Sequence, residues 1–153
     1  HQFRDFVLER HGLSLKQTDT KQLTLLQRSD HSAHPRSDGV TDRKIHDIDK
    51  AQELLAEQYA GYTITTVSFE DMPYREQPAV ISQTDVLVTV HGAGNVHVIF
   101  LPSHATLVEY YPPGFSGRVR FKYLAECMGL RHVQKHARIA SKLPEQKITV
   151  HLT

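Results

Sequence analysis

The chain has 153 residues, 39% of them apolar and 23% charged, which is typical of one globular domain with a core of its own. Its 18 basic and 17 acidic side chains nearly cancel, so the overall charge provides no case for binding nucleic acid or an anionic membrane. The single cysteine, Cys127, excludes an internal disulfide, and no apolar run reaches the roughly 18 residues of a membrane span.

The first half of the chain predicts two helices and two strands around a long polar loop. Gly12 and Gly61 are suited to ending helices, and Asp47 is suited to capping one. The predicted elements are a helix over 2–11, a strand over 22–27, a mobile loop over 29–42, a helix over 47–59 and a strand over 62–69.

The second half alternates short strands with short helices. Pro78 lacks a backbone donor, so the helix predicted over 74–83 is expected to begin near this proline instead. The remaining predicted elements are a strand over 85–90, a short helix over 95–101, a strand over 105–111, a helix over 117–128, a strand over 131–136 and an apolar patch at 148–150.

This alternation predicts an α/β fold, a Rossmann-like parallel sheet with helices on both faces. Ligands bind such sheets beyond the carboxyl ends of the strands. Three groups of suggestive residues follow strand ends in this chain: Arg28, the His91–Gly94 turn, and the segment 109–114. We therefore expect them to lie along one edge of the sheet.

The turn His91-Gly92-Ala93-Gly94 lies between a predicted buried strand and a short helix. Glycine permits a sharp turn and a close approach of ligand to backbone. The first N–H groups of the helix would then point at the ligand, which suits a phosphate or a polar sugar edge. Gly-x-Gly alone is weak evidence for this, because the full Gly-x-Gly-x-x-Gly pattern is absent. An esterase oxyanion hole ranks lower, because the chain has no Gly-x-Ser-x-Gly motif.

Several charged residues have both a functional and an ordinary interpretation. Arg28 and the Arg43-Lys44 pair are candidates for holding phosphate oxygens, or form a solvated basic loop. Glu109 is a candidate for accepting hydrogen bonds from ribose hydroxyls, or is an ordinary charge at a strand end.

The two histidines beside the turn also leave alternatives open. His91 is a candidate general base or hydrogen-bond donor to a diphosphate, or it is a hydrogen-bonded residue that fixes the turn. His97 is as suited to the core as to contact with a ligand, so His91 is favoured over His97 for ligand contact. Glu70, Asp71 and Glu76 are expected to be surface charges and caps. The eleven histidines form no spaced metal-binding set.

The central motif resembles glycosyltransferase family 61. The similarity lies in residues 85–102 (DVLVTVHGAGNVHVIFLP) and 107–114 (LVEYYPPG), with weaker matches at 68–72 (SFEDM), 75–77 (REQ), 28–29 (RS) and 43–45 (RKI). It extends over roughly residues 3–130.

The resemblance implies the C-terminal, donor-binding half of a GT-B fold and an inverting transfer from a UDP-sugar to a hydroxyl of a glycan or glycoprotein. It implies no cofactor and no catalytic metal. The nucleotide-sugar-binding residues it implies are Arg28, Arg43, His91, Gly92, Ala93, Gly94, Asn95 and Glu109, with His91 also a candidate catalytic residue.

The expected domain covers residues 1–137, followed by a tail or extra strand over 138–153. Because the first residue is His1, we expect a piece of a longer protein whose N-terminal GT-B domain lies outside this chain. The resemblance implies that the parent acts in the lumen of the endoplasmic reticulum or Golgi, and we expect no membrane contact from this segment. A non-catalytic nucleotide-binding Rossmann-like domain is the alternative.

Overall fold

Strands and helices alternate along the chain, as the sequence predicts. The structure is a computed structural model that describes residues 2–15, 19–29, 43–45, 47–112, 115, 117–139 and 149–151. The helices are α1 (Gln2–Arg10), α2 (Ile48–Gln58), α3 (Gln77–Ser82) and α4 (Arg120–Cys127), with 3-10 helices at Phe69–Asp71 and Ala93–Phe100. The strands are β1 (Lys21–Gln27), β2 (Lys44–Ile45), β3 (Tyr62–Ser68), β4 (Val86–Val90), β5 (Thr106–Tyr111), β6 (Arg131–His136), β7 (Arg138–Ile139) and β8 (Thr149–His151).

Five of these strands form one parallel sheet in the order β3-β1-β4-β5-β6. The chain runs from β1 to its neighbour β3, and then crosses back to β4 on the other side of β1. The strand order therefore reverses between β1 and β4, and this topological switch point is where open α/β sheets form a crevice for ligands.

Each face of the sheet is covered by helices, because side chains alternate between the faces along every strand. One core packs α2 against alternate residues of the central strands, including Leu25, Val88 and Val108. The other packs α1, α3, α4 and the longer 3-10 helix against the intervening positions, such as Leu87 and Leu107. The predicted Rossmann-like fold is thus confirmed, and its assignment as half of a GT-B enzyme stays a prediction.

Local sequence signals account for most element boundaries. The Asp47 carboxylate accepts the Lys50 backbone N–H at 3.2 Å and caps α2. Gly12 takes a φ of +66° after α1, which favours glycine. Pro78 lies in the first turn of α3, where its missing donor costs nothing.

Two parts of the prediction differ from the structure. The helix expected over 95–101 is a 3-10 helix that begins at Ala93, inside the glycine turn. A second sheet, in the order β2-β8-β7, joins residues 44–45 to the extra strand expected in the C-terminal tail. Residues 30–42 of the predicted loop, and residues 113–114 after β5, lie outside the described residues.

Candidate functional site

A cleft opens at the switch point, beyond the carboxyl ends of β1 and β4. Its cavity measures about 330 Å³, within the range of small-molecule sites. The lining comes from three neighbouring strand ends and the 3-10 helix: Leu26, Gln27, Arg28, Phe69, Glu70, Thr89, Val90, Gly92, Ala93, Gly94, Asn95 and His97. The structure therefore brings together Arg28 and the glycine turn, which are far apart in sequence.

The two glycines of the turn meet different surroundings. A Cβ on Gly94 would lie 3.0 Å from Leu26 Cδ2, so a side chain there would force the Leu26 side chain to shift. A Cβ on Gly92 would make only ordinary contacts, at 3.6 Å from the Val90 carbonyl oxygen and 3.8 Å from Arg28 Nη1. The backbone of Gly92 is extended, and its missing side chain leaves the turn open toward Arg28.

The two predicted phosphate-binding arginines approach the turn from different sides. Arg28 lines the cleft, with Nε 3.7 Å from Glu70 Oε1 and Nη1 close to Gly92. Arg43 donates from Nη1 to the His91 carbonyl oxygen at 2.9 Å, and its guanidinium lies over the Phe115 ring. Arg43 is not among the residues that line the cleft, so in this structure it supports the turn from outside.

His97, rather than the favoured His91, lines the cleft. Its ring lies 4.4 Å from the Phe69 ring centroid, and Nδ1 is 3.0 Å from the Gly94 carbonyl oxygen. Burial lowers the pKa of His97 and outweighs the hydrogen bond to Gly94, which raises it. The neutral ring therefore donates to the turn with Nδ1–H.

Glu109 lies beneath the turn at the centre of a buried hydrogen-bond network. Its neighbours in register are Thr89 on β4 and Gln134 on β6, and strand alternation directs Glu109, Thr89 and His132 to the same face. Oε1 lies 2.7 Å from His91 Nδ1 and 2.8 Å from Asn95 Nδ2, and Oε2 lies 2.8 Å from the Tyr111 hydroxyl and 2.9 Å from His132 Nε2.

This network satisfies every polar group around the carboxylate. Asn95 Oδ1 accepts from the Thr89 hydroxyl at 2.9 Å, and the Tyr111 hydroxyl also lies 2.9 Å from the Arg118 carbonyl oxygen. Burial and the nearby Glu109 both raise the pKa of Tyr111, which keeps its proton to donate. Among the described residues, no buried side-chain nitrogen or oxygen lacks a partner.

The position of Glu109 differs from the one expected for a ribose ligand. The residue has no exposed surface, because its carboxylate is enclosed by the four side chains that bind it. Asn95 is equally buried, although it borders the cleft. In this conformation both residues hold the turn in place from below. A strand-end carboxylate can point to the core or to the ligand, and here the side-chain partners on β5 and β6 direct it inward.

His91 lies behind the turn, away from the cleft. Its ring stacks on Tyr111 with centroids 5.0 Å apart and borders a second cavity formed with Arg118, Val119, Arg120 and Phe121. If Nδ1–H donates to Glu109, the lone pair of Nε2 remains available on the other side of the ring. His91 thus fixes the turn here, which was its ordinary interpretation, and its catalytic role stays a prediction.

Sequence reasoning missed several residues of both the network and the cleft. Nothing in the sequence singles out His132 or connects Tyr111 to Glu109, because the convergence of these side chains depends on the strand order. Glu70 was expected to be a surface charge, but it follows β3 and lines the cleft. Applying the strand-end rule to β3 would have found it.

The described residues hold neither a metal-binding cluster nor a membrane-spanning helix. No group of three or more His, Cys, Asp or Glu side chains is placed to hold a metal ion in the part of the chain that the structure describes. Within the same residues, none of the helices is long and apolar enough to cross a bilayer. A metal-independent reaction stays a prediction.

Comparison with known proteins places these features among sugar transferases. The profile of the family described as Glycosyltransferase 61 matches residues 2–108. The chain is 31% identical over 133 residues to the EGF domain-specific O-linked N-acetylglucosamine transferase of Drosophila melanogaster, which covers 85% of this chain and 23% of that protein.

Shorter matches link the chain to plant and vertebrate enzymes. It is 43% identical over 58 residues to the alpha-1,3-arabinosyltransferase XAT3 of Oryza sativa subsp. japonica, covering 36% of this chain and 10% of that protein. It is 40% identical over 58 residues to the protein O-linked-mannose beta-1,4-N-acetylglucosaminyltransferase 2 of Homo sapiens, covering 38% and 10%. The chain thus spans less than a quarter of the length of these relatives.

Proposed function

Because this chain belongs to glycosyltransferase family 61, we propose that it is the donor-binding part of an inverting glycosyltransferase that uses a UDP-sugar. The acceptor is a hydroxyl of a glycan or a glycoprotein, and the remainder of the transferase contributes its binding site. The relatives are named as transferases of N-acetylglucosamine or arabinose, which supports a sugar donor. Two relatives are named for EGF domains and for protein O-linked mannose, which supports a glycoprotein acceptor and a parent protein in the lumen of the endoplasmic reticulum or Golgi.

One observation carries this proposal: the glycine turn, Arg28 and the start of a 3-10 helix meet in a cleft at the switch point of the sheet. The first N–H groups of a helix lack acceptors within it and form the positive end of its dipole. Gly92, Ala93 and Gly94 supply these groups. With the Arg28 guanidinium beside them, they match the charge and shape of a diphosphate.

The same groups provide the chemistry that departure of a nucleoside diphosphate requires. An acceptor hydroxyl attacks the anomeric carbon from the face opposite the diphosphate, so the configuration at that carbon inverts. Negative charge then grows on the diphosphate oxygens as the glycosidic bond breaks. Fixed donors that face this charge stabilise the transition state more than the ground state.

The buried network holds these donors in place. Asn95 lies in the first turn of the 3-10 helix and hydrogen-bonds to Glu109 and Thr89, and His91 hydrogen-bonds to Glu109 on the other side of the glycines. Arg43 binds the carbonyl oxygen of His91. We propose that Glu109, Asn95 and Arg43 position the turn, and that Arg28 and the turn backbone contact the donor.

The proposal is tested by assaying the full-length protein with a panel of UDP-sugars and comparing the Arg28→Ala variant with Arg75→Ala. Arg75 is an exposed arginine outside the cleft and serves as the matched control. The Arg28 variant is expected to lose at least about tenfold in kcat/KM, since a charge-assisted contact to a leaving group contributes on the order of 1.5–3 kcal/mol. The product anomer is expected to be inverted.

Two outcomes would contradict the proposal in different ways. Equal activity of the two variants would exclude the cleft as the donor site. Binding of UDP without transfer to any acceptor or to water would favour the alternative, a non-catalytic nucleotide-binding domain.

A further inference from the structure

Glu70 is a carboxylate in the cleft that the diphosphate does not require. It lies two residues after the end of β3, in the 3-10 helix Phe69–Asp71, and on the far side of Arg28 from the glycine turn. Oε2 lies 3.0 Å from the Ser68 hydroxyl, and Oε1 lies 3.7 Å from Arg28 Nε. Its side chain is 18% exposed, which contrasts with the enclosed carboxylate of Glu109.

The strand order fixes how far Glu70 lies from the phosphate-binding turn. β3 and β4 flank β1 on opposite sides, and neighbouring strands are about 4.8 Å apart, so their ends are separated by roughly 10 Å. The Arg28 side chain extends across this gap, with Nε toward Glu70 and Nη1 toward Gly92. Phosphates resting on the turn would therefore leave room for the ribose of the nucleotide to reach Glu70, on the other side of Arg28.

The charge of Glu70 restricts what it can bind. A carboxylate repels phosphate oxygens but accepts hydrogen bonds from hydroxyl groups, and ionised acceptors form the stronger bonds. In doubly wound sheets that bind dinucleotides, an acidic residue beyond the end of the strand that neighbours the first strand commonly binds a ribose hydroxyl. In this sheet that neighbouring strand is β3. Glu109, the earlier candidate for this task, has no exposed oxygen to offer.

We propose that Glu70 binds a ribose hydroxyl of the donor nucleotide, with Ser68 orienting its carboxylate and Arg28 bridging it to the diphosphate. This inference rests on the proposed function, since it assumes that the cleft holds a nucleoside diphosphate. It makes Glu70 the residue that distinguishes a ribonucleotide from a deoxyribonucleotide.

The test compares the affinities of the full-length protein for UDP, 2′-deoxy-UDP and 3′-deoxy-UDP by calorimetry. The wild type is expected to bind UDP at least about tenfold more tightly than one of the deoxy analogues. The Glu70→Gln variant is expected to bind UDP more weakly but to bind that deoxy analogue about as well as the wild type does. The ratio of its affinities for UDP and for the deoxy analogue should therefore fall below about threefold. Ser68→Ala is expected to lower the ratio to an intermediate value.

Asp71→Asn is the matched control, because Asp71 is the exposed neighbour outside the cleft; it should keep the wild-type ratio. A Glu70→Gln variant that retains the full preference for UDP would overturn the assignment of Glu70 alone. A wild type that binds none of the three nucleotides would overturn the proposed function as well.

Discussion

Replacement of Glu109 tests whether the buried network stabilises the fold beneath the turn. In the Glu109→Ala variant, His91 Nδ1, Asn95 Nδ2 and His132 Nε2 lose their acceptor, while Tyr111 keeps the Arg118 carbonyl oxygen. A buried donor without a partner costs about 1–3 kcal/mol. A change of histidine tautomer relieves part of this cost. We therefore expect a net loss of about 3–5 kcal/mol from the three buried donors together.

Glu109→Gln separates the loss of the charge from the loss of volume. Glutamine fills the same space and keeps one oxygen that accepts hydrogen bonds, so its expected cost is smaller than that of alanine. Its NH2 group faces the donors that bound the second carboxylate oxygen, so a cost of about 1–3 kcal/mol remains. The control is Glu57→Gln on the exposed face of α2, where a change within about 0.5 kcal/mol is expected.

Urea unfolding followed by far-UV circular dichroism measures these differences. A loss of about 3–5 kcal/mol lowers the urea midpoint by roughly 1–5 M, given typical slopes of about 1–3 kcal/mol/M. A Glu109→Ala variant that loses no more stability than the Glu57 control would show that the four contacts contribute no net stability.

Two further predictions concern the wall of the cleft. Gly94→Ala should destabilise the protein by about 1–3 kcal/mol, because the added methyl group contacts Leu26. Gly92→Ala should leave the unfolding midpoint nearly unchanged and should weaken UDP binding. Equal unfolding midpoints for the two variants would contradict the packing described here. Burial lowers the pKa of His97 in the folded protein below its usual value of 6.5. As the pH falls, the unfolded chain therefore binds a proton at this histidine before the folded chain does. The stability that the neutral ring contributes is complete above pH 6.5 and is lost as the pH falls below it. Between about pH 7.5 and 5.5, the wild type should lose more stability than His97→Gln in paired urea titrations, and a larger loss in the variant would contradict this sign.

The fold could be predicted from the sequence because its signals are local. The caps at Asp47 and Gly12, the buried run of β4 and the alternation of strands with helices each determine one element, and the strand-end rule then locates the cleft. The 3-10 geometry after His91 was missed, because periodicity over seven residues does not separate it from an α-helix.

The roles of individual side chains were harder to predict, because they depend on which strands are neighbours. Glu109 and Glu70 are both acidic residues at or after the end of a strand. Only the order of strands shows that Glu109 faces His91 and His132, whereas Glu70 faces Arg28 across the cleft. His97 reaches the cleft for the same kind of reason, since the 3-10 helix packs its ring against Phe69.

The central claim, that UDP binds in the cleft between β1 and β4, is tested most directly by calorimetric titration of the full-length protein with UDP. The decisive comparison is between Arg28→Ala in the cleft and Arg118→Ala in the second cavity beside His91. The claim predicts that UDP affinity falls at least about tenfold in the Arg28 variant and stays within about threefold of the wild type in the Arg118 variant. The reverse pattern would place the nucleotide in the second cavity and contradict the claim.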